Sequence, residues 1–170
     1  MKKFVFVFLL ASAFVFGKDA GKASNWRAAT DGELRPVIPA RAPVEKERIE
    51  TEFRTASGVT DGEGKFVAGV VLITAGYSAD GKYSHFFLTQ VPVKIGNFTL
   101  KPGDYVFGFR KNDNSLTVKF YDAQTGNPVG TVEATRASRV GKIESFHISP
   151  PSEKGVVQIG RFAFAYEIGE

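Results

Sequence analysis

Tyr105-Val106-Phe107-Gly108-Phe109-Arg110-Lys111-Asn112-Asp113-Asn114-Ser115-Leu116-Thr117-Val118-Lys119-Phe120-Tyr121 decides the fold class. Tyr105, Phe107 and Phe109 alternate with Val106, Gly108 and Arg110, and Leu116, Val118 and Phe120 alternate with Thr117, Lys119 and Tyr121. A period of two is the mark of strands with one face buried. Asn112-Asp113-Asn114 supplies turn residues between the runs, so the stretch predicts an antiparallel hairpin.

Working outward, the same grammar repeats. Phe66 to Ala75 is almost continuously apolar, as in a strand buried on both faces. Asp80-Gly81 suits a tight turn that pairs Phe66 to Tyr77 with Tyr83 to Val91. Gly96-Asn97 separates Val93 to Ile95 from Phe98 to Leu100, and Thr125-Gly126-Asn127 turns the chain into Val129 to Ala134. Phe146 and Ile148 share a face before Pro150-Pro151 stops the run. In the terminal stretch Val156 to Ile168, Val157 and Ile159 follow one register, and Phe162, Phe164, Tyr166 and Ile168 the other. That fault predicts a β-bulge near Gly160-Arg161. Pro43 to Ala56 fits either a helix beginning at Pro43 or an alternating strand, with β-branched residues favouring the strand.

The class expected is therefore all-β: an antiparallel β-sandwich, or a small barrel, of about seven to nine strands with an extended N-terminal arm. The expected core is Val71, Ile73, Phe87, Tyr105, Phe107, Phe109, Leu116, Val118, Phe120, Phe162 and Phe164. Leu100-Lys101-Pro102-Gly103-Asp104-Tyr105 resembles the L-x-P-G-x-Y approach to a strand in transthyretin-like and carboxypeptidase-regulatory-like β-sandwich domains. The resemblance implies an exported accessory or ligand-presenting sandwich and carries no catalytic residue with it.

Met1-Lys2-Lys3 followed by the uncharged run Phe4 to Phe16 reads as a secretory signal, residues 1–17, with cleavage expected after Gly17. Ala11-Ser12-Ala13 is the rival site. Removing 17 of the 170 residues takes away Lys2 and Lys3, so the charge falls from +4 to 20 basic against 18 acidic side chains. That balance excludes a nucleic-acid footprint. Residues 18–47, rich in Ala and carrying Pro36, Pro39 and Pro43, read as an extended arm with Trp26 as its large anchor, and residues 48–170 as the β-sandwich domain. No later run approaches the roughly 20 apolar residues of a membrane helix, so helical membrane spanning is not expected. With no cysteine, the chain has neither a disulfide framework nor a thiolate metal site.

No motif for nucleophilic, phosphate-binding or metalloprotease chemistry occurs, so no catalytic residue, cofactor or metal is expected. His85 and His147 lie on separate strands and read as an ordinary hydrogen-bonded and an ordinary exposed histidine. Asp61-Gly62-Glu63-Gly64-Lys65 lacks the acidic spacing of a calcium loop and reads as a Gly-rich turn. Aromatic and basic residues flanking the first hairpin, Tyr77, Lys82 and Tyr83, are the candidate ligand contacts. The expectation is a non-enzymatic module, periplasmic or extracellular, that binds a protein or glycan partner. An eight-stranded outer-membrane barrel is the alternative, suggested by the Phe162 to Ile168 alternation.

Overall fold

The computed structural model describes residues 25–74, 82–137 and 143–169. The expected Asp80-Gly81 turn, Tyr77 and the signal segment lie outside the described residues. In chain order the elements are β1 (Arg27–Ala28), a single-turn helix α1 (Asp31–Leu34), β2 (Arg41–Val44), β3 (Glu47–Thr60), β4 (Phe66–Leu72), β5 (His85–Thr89), β6 (Val93–Ile95), β7 (Phe98–Leu100), β8 (Gly103–Lys111), β9 (Ser115–Asp122), β10 (Pro128–Arg136), β11 (Glu144–Ile148), β12 (Val156–Gly160), β13 (Phe162–Ala165) and β14 (Glu167–Ile168). All-β architecture, as the alternation predicts, is what forms. The strands outnumber the seven to nine expected, because two-residue ladders such as β1 and β14 are too short to leave an alternation in sequence.

One antiparallel sheet runs in the order β1-β3-β4-β5-β8-β9-β10-β13-β12-β11, with β2 paired to β3, and a second sheet is β14-β6-β7. The long sheet curls until β11 returns to β3, which makes it a nearly closed barrel. At the junction the Ile148 amide donates to Ser57 Oγ at 2.9 Å. Phe146 packs there so closely that a Cβ on Gly69 would lie 2.8 Å from its Cζ.

Apolar side chains fill the barrel. Phe87, Phe107, Phe120, Phe146 and Phe164 are buried inside it, together with Val93, Ile95 and Leu100 from the small sheet. The Phe107 and Phe120 rings lie 4.9 Å apart. Phe98 reaches over Gly130, where a Cβ would stand only 2.3 Å from the ring. Tyr105 closes the Lys101-Pro102-Gly103 turn by donating its hydroxyl to the Lys101 carbonyl at 2.8 Å.

A second apolar layer covers part of the outside. Leu34, Ile38, Ala42, Val44 and Ile49 pack over Ala68, Val70, Leu72, Phe86, Leu88 and Val106. This explains why Phe66 to Leu72 has no polar face: the chain N-terminal to it covers the side that water would otherwise wet. Residues 25–47 are accordingly not simply extended. Thr30 and Glu33 form a reciprocal capping box on α1, Trp26 is buried against the interior core, and β2 forms a hairpin with β3.

Of the two templates for Pro43 to Ala56, the strand that its β-branched residues favour is the one that forms. Two expectations need correction. Ile73, expected in the core, lies just past the end of β4 and is 45% exposed although its amide still donates to the Glu50 carbonyl at 2.8 Å, and Val71, Phe109 and Phe162 are only partly buried. The register fault at Gly160-Arg161 is a tight turn between two strands, not a bulge within one: Ile159 pairs with Phe162, and Gly160 takes φ +58. Reversing the chain re-aims side chains as an inserted residue would, and glycine tolerates the left-handed backbone at the turn.

Candidate functional site

Of the sequence-derived candidates, Lys82 and Tyr83 come together with two residues that the sequence did not single out. Tyr83 donates its hydroxyl to Glu45 Oε1, and Lys82 Nζ lies 3.1 Å from the same oxygen. The Tyr83 and Tyr121 rings meet edge to face at 5.6 Å. The Lys82 ammonium sits over both, 4.7 Å from the Tyr83 centroid and 5.5 Å from that of Tyr121. The hydrogen bond from Tyr83, then that from Lys82, holds the Glu45 carboxyl below the usual carboxylate range. Burial pushes the Tyr83 phenol up.

Glu45 is itself fixed. It occupies the turn between β2 and β3 at φ 55, a strained conformation for a residue with a side chain. Its amide donates to the Ala123 carbonyl at 2.7 Å. Its carboxylate lies across Gly126, where a Cβ would come within 2.4 Å of Oε1. Tyr83 is thus consumed in positioning, while Lys82 is left on the lip of a cleft.

That cleft, about 480 Å³, lies on the outer face of β8 and β9 and is lined by Lys82, Gly108, Phe109, Arg110, Asn112, Thr117, Lys119 and Tyr121. Its shape follows from the register. Gly108 pairs with Lys119 and Arg110 with Thr117, while Tyr121 stands beside Val106. Gly108 contributes no side chain, so the middle of the face is a hollow between Tyr121 at one end and Arg110 at the other. Alternation had already placed Thr117, Lys119 and Tyr121 on the side away from the core. What it lacked was the neighbour: only the β8–β9 register shows that Arg110 and Lys119 flank a glycine.

A second cleft, about 450 Å³, follows the junction of β3 and β11 and holds Ser57, Glu144 and His147. These residue types invite a hydrolytic reading, but their geometry does not form a relay. Ser57 Oγ, 3.4 Å away, and Glu144 Oε2, 3.1 Å away, both meet Nδ1 of His147, whereas a nucleophile and an orienting acid must divide the two ring nitrogens. Ser57 Oγ is also the acceptor for the Ile148 amide. The cluster holds the barrel shut.

His85, expected to be ordinary, is buried in the interior. Its ring stacks on Phe107 at 4.6 Å, with Phe146 and Phe109 beside it. Ser84 Oγ lies 2.8 Å from His85 Nδ1 and 3.3 Å from the Phe107 carbonyl. Nε2 has no hydrogen-bond partner among the described residues. Burial pulls the imidazole down to about 3, so it is neutral across the physiological range. The Asp61 loop is a turn: Oδ1 accepts from the Glu63 and Lys65 amides at 2.8 and 2.9 Å. Asp122 is similarly occupied by the Gln124 and Thr125 amides. Among the described residues no group of three or more candidate ligands could hold a metal ion.

Comparison of the chain with protein-family models, with curated proteins and with solved structures finds no match. The reading of function therefore rests on the residues themselves.

Proposed function

We propose that the protein is an exported, non-enzymatic binding module whose ligand occupies the cleft over Gly108. The observation that carries this reading is the cleft's composition. Hydrogen-bond donors and an aromatic side chain converge on a glycine-floored hollow, and a strained, doubly anchored Glu45 fixes the lip residue Lys82. Export rests on the Met1 to Gly17 segment. The polarity of the sheet supports this reading over an outer-membrane barrel. Arg110, Thr117, Lys119 and Glu133 face outward from β8, β9 and β10, and the inward faces are packed with Phe and Val. A membrane barrel has the opposite arrangement, and a Lys or Arg facing lipid at mid-bilayer costs about 2–4 kcal/mol.

The test is a ligand screen on the purified protein, using a glycan array and a small-molecule panel, repeated with Tyr121→Ala and Tyr83→Ala. Binding by the wild type that Tyr121→Ala abolishes supports the assignment. A wild type that retains nothing from either panel refutes it. Recovery of the protein in the outer-membrane fraction would refute the preference over a membrane barrel, and recovery in the cytoplasm would refute export.

A further inference from the structure

We infer that the Arg110 end of this cleft is an oxyanion subsite, so that the ligand is a small molecule bearing a carboxylate, sulfate or phosphate group. The inference rests on the reading of the cleft as the binding site and adds its chemistry.

The argument begins with which protons are free. Asn112 Nδ2 donates to Thr117 Oγ1 at 3.0 Å and to Ser115 Oγ at 3.3 Å. The Thr117 hydroxyl oxygen therefore already accepts a bond, and its own O–H is left to donate. Arg110 stands directly opposite Thr117, and Lys119 opposite the adjacent Gly108. Outward-facing neighbours in such a ladder lie about 5 Å apart directly and 7–8 Å diagonally, within reach of two long side chains converging on one group. Neither Arg110 nor Lys119 makes an ion pair among the described residues, and both are exposed. Guanidinium and ammonium groups only donate, so both charged groups at this end of the cleft are donors, beside the Asn112 amide and the Thr117 hydroxyl.

A cluster of donors carrying two like charges recognises an anion and rejects a neutral or cationic group. It is also self-repulsive when empty, because like charges on neighbouring strands destabilise a sheet. Carboxylates stand around the cleft but outside its lining: Glu45 holds Lys82 at the far lip, and Asp113 follows Asn112 in the turn. Glu133 pairs with Thr117 from β10 and is exposed outside the lining of the cleft. From the Tyr121 row to the Arg110 row is four residues, about 13 Å, which leaves room for a ring beyond the anionic group.

The experiment titrates the full mature chain with six probes at constant ionic strength, so that general screening is held fixed. The probes are inorganic phosphate, inorganic sulfate, benzoate, phenyl phosphate, glucuronate and glucose, and the readout is the set of backbone amide NMR shifts for residues 106–112 and 117–121. Expected are saturable shifts with the anionic probes, phenyl phosphate and benzoate binding more tightly than the inorganic ions, no response to glucose, and a thermal midpoint raised by bound anion. Arg110→Gln and Lys119→Gln should each weaken binding about tenfold or more, as loss of one charge-assisted hydrogen bond does. Glu133→Gln should tighten it. All three positions are exposed and Glu133→Gln is isosteric, and circular dichroism melts verify that each variant is folded.

Anion affinities unchanged in both Arg110→Gln and Lys119→Gln, or glucose binding as well as glucuronate at these amides, would overturn the subsite while leaving the cleft as a binding site. Silence of these amides to every probe, neutral and anionic, overturns the subsite. Failure of the broader ligand screen as well would remove the binding reading.

Discussion

Ser57 on β3 and Ile148 on β11 are joined by a 2.9 Å hydrogen bond from the Ile148 amide to the Ser57 hydroxyl, and this side-chain contact stands where a backbone ladder would complete the barrel. The reason lies in β3. Between Glu52 and Ser57 its register to β4 shifts, so that Glu52 pairs with Val71 and Ser57 with Gly69. Residues 53–56 stand opposite Val70 alone in that interval, and Thr55 fills the interrupted ladder by accepting the Val71 amide at 3.0 Å. A strand so displaced cannot present a regular edge to β11. Ser57, His147 and Phe146 close the remaining gap with side chains, and the sheet is nearly continuous without being covalently or ladder-wise complete.

Ser57→Ala should therefore open the junction more than its size suggests. It leaves a partly buried amide without an acceptor, a change that costs about 1–3 kcal/mol. Urea denaturation measures the loss, and hydrogen exchange localises it: the Ile148 amide should exchange faster than those of β8 and β9. Unchanged protection at Ile148 would mean that the Ser57 contact does not hold the strand.

His85 makes stability depend on pH. Its folded value of about 3 lies below the ordinary 6.5, so the unfolded chain takes up a proton that the folded one refuses. Stability is full above about pH 6.5 and falls by up to about 1.4 kcal/mol per pH unit down to about pH 3. Between pH 7.5 and 5.0 the wild type should lose about 2 kcal/mol, and His85→Phe, which keeps the ring stack on Phe107, should lose much less. Glu33 and Glu52, held down to about 2 chiefly by Arg27 and Arg54, lose their contribution below the 4.5 of a free glutamate, beneath this window. A parallel decline in wild type and His85→Phe would contradict the assignment.

Much of the fold was legible because burial writes itself into alternation. Phe107 and Phe120, Leu116 and Val118 are inside as the period of two requires, and the doubly apolar run Phe66 to Leu72 is covered on both faces. What was not legible depends on pairing across distance. The cover over Phe86 and Val70 comes from Leu34 and Ile38, whose segment has no sustained apolar period. The cleft was half legible for the same reason. Lys82 and Tyr83 stood out as basic and aromatic residues beside a turn, but Glu45 is 38 residues before Tyr83, and Arg110 meets Thr117 only through register.

Gly160 offers a clean test of the turn that replaced the expected bulge. A Cβ there would meet no atom within 4 Å, yet φ is +58. Gly160→Ala should therefore cost only the backbone penalty of a left-handed residue, about 1–2 kcal/mol. Gly69→Ala would instead meet Phe146 and the Phe86 carbonyl, each at 2.8 Å, and should cost about 1–3 kcal/mol through overpacking. Trimming Phe146 to Leu should recover part of the second loss and none of the first. Recovery of both, or of neither, in chemical denaturation would show that the two glycines are not distinguished by space and backbone as described.

The C-terminal hairpin is the test of the whole closure. β13 pairs with β10 on one side and with β12 on the other, so the connection of β11 and β12 to the rest of the sheet passes through it. Phe164 and Tyr166 are buried, and the Tyr166 hydroxyl donates to the Ser149 carbonyl at 2.8 Å. Burial of each such side chain is worth about 1.5–3 kcal/mol, a large share of the roughly 5–15 kcal/mol that holds a domain together. Deleting residues 161–170 strips β13 and β14, exposes the edges of β10 and β12, and uncovers β6 in the small sheet. The truncated chain should lose its cooperative thermal transition and aggregate. A truncation that instead melts cooperatively near the full-length temperature would show that β1 to β10 fold without closure, and the strands from β11 onward would then be an appendage to the barrel.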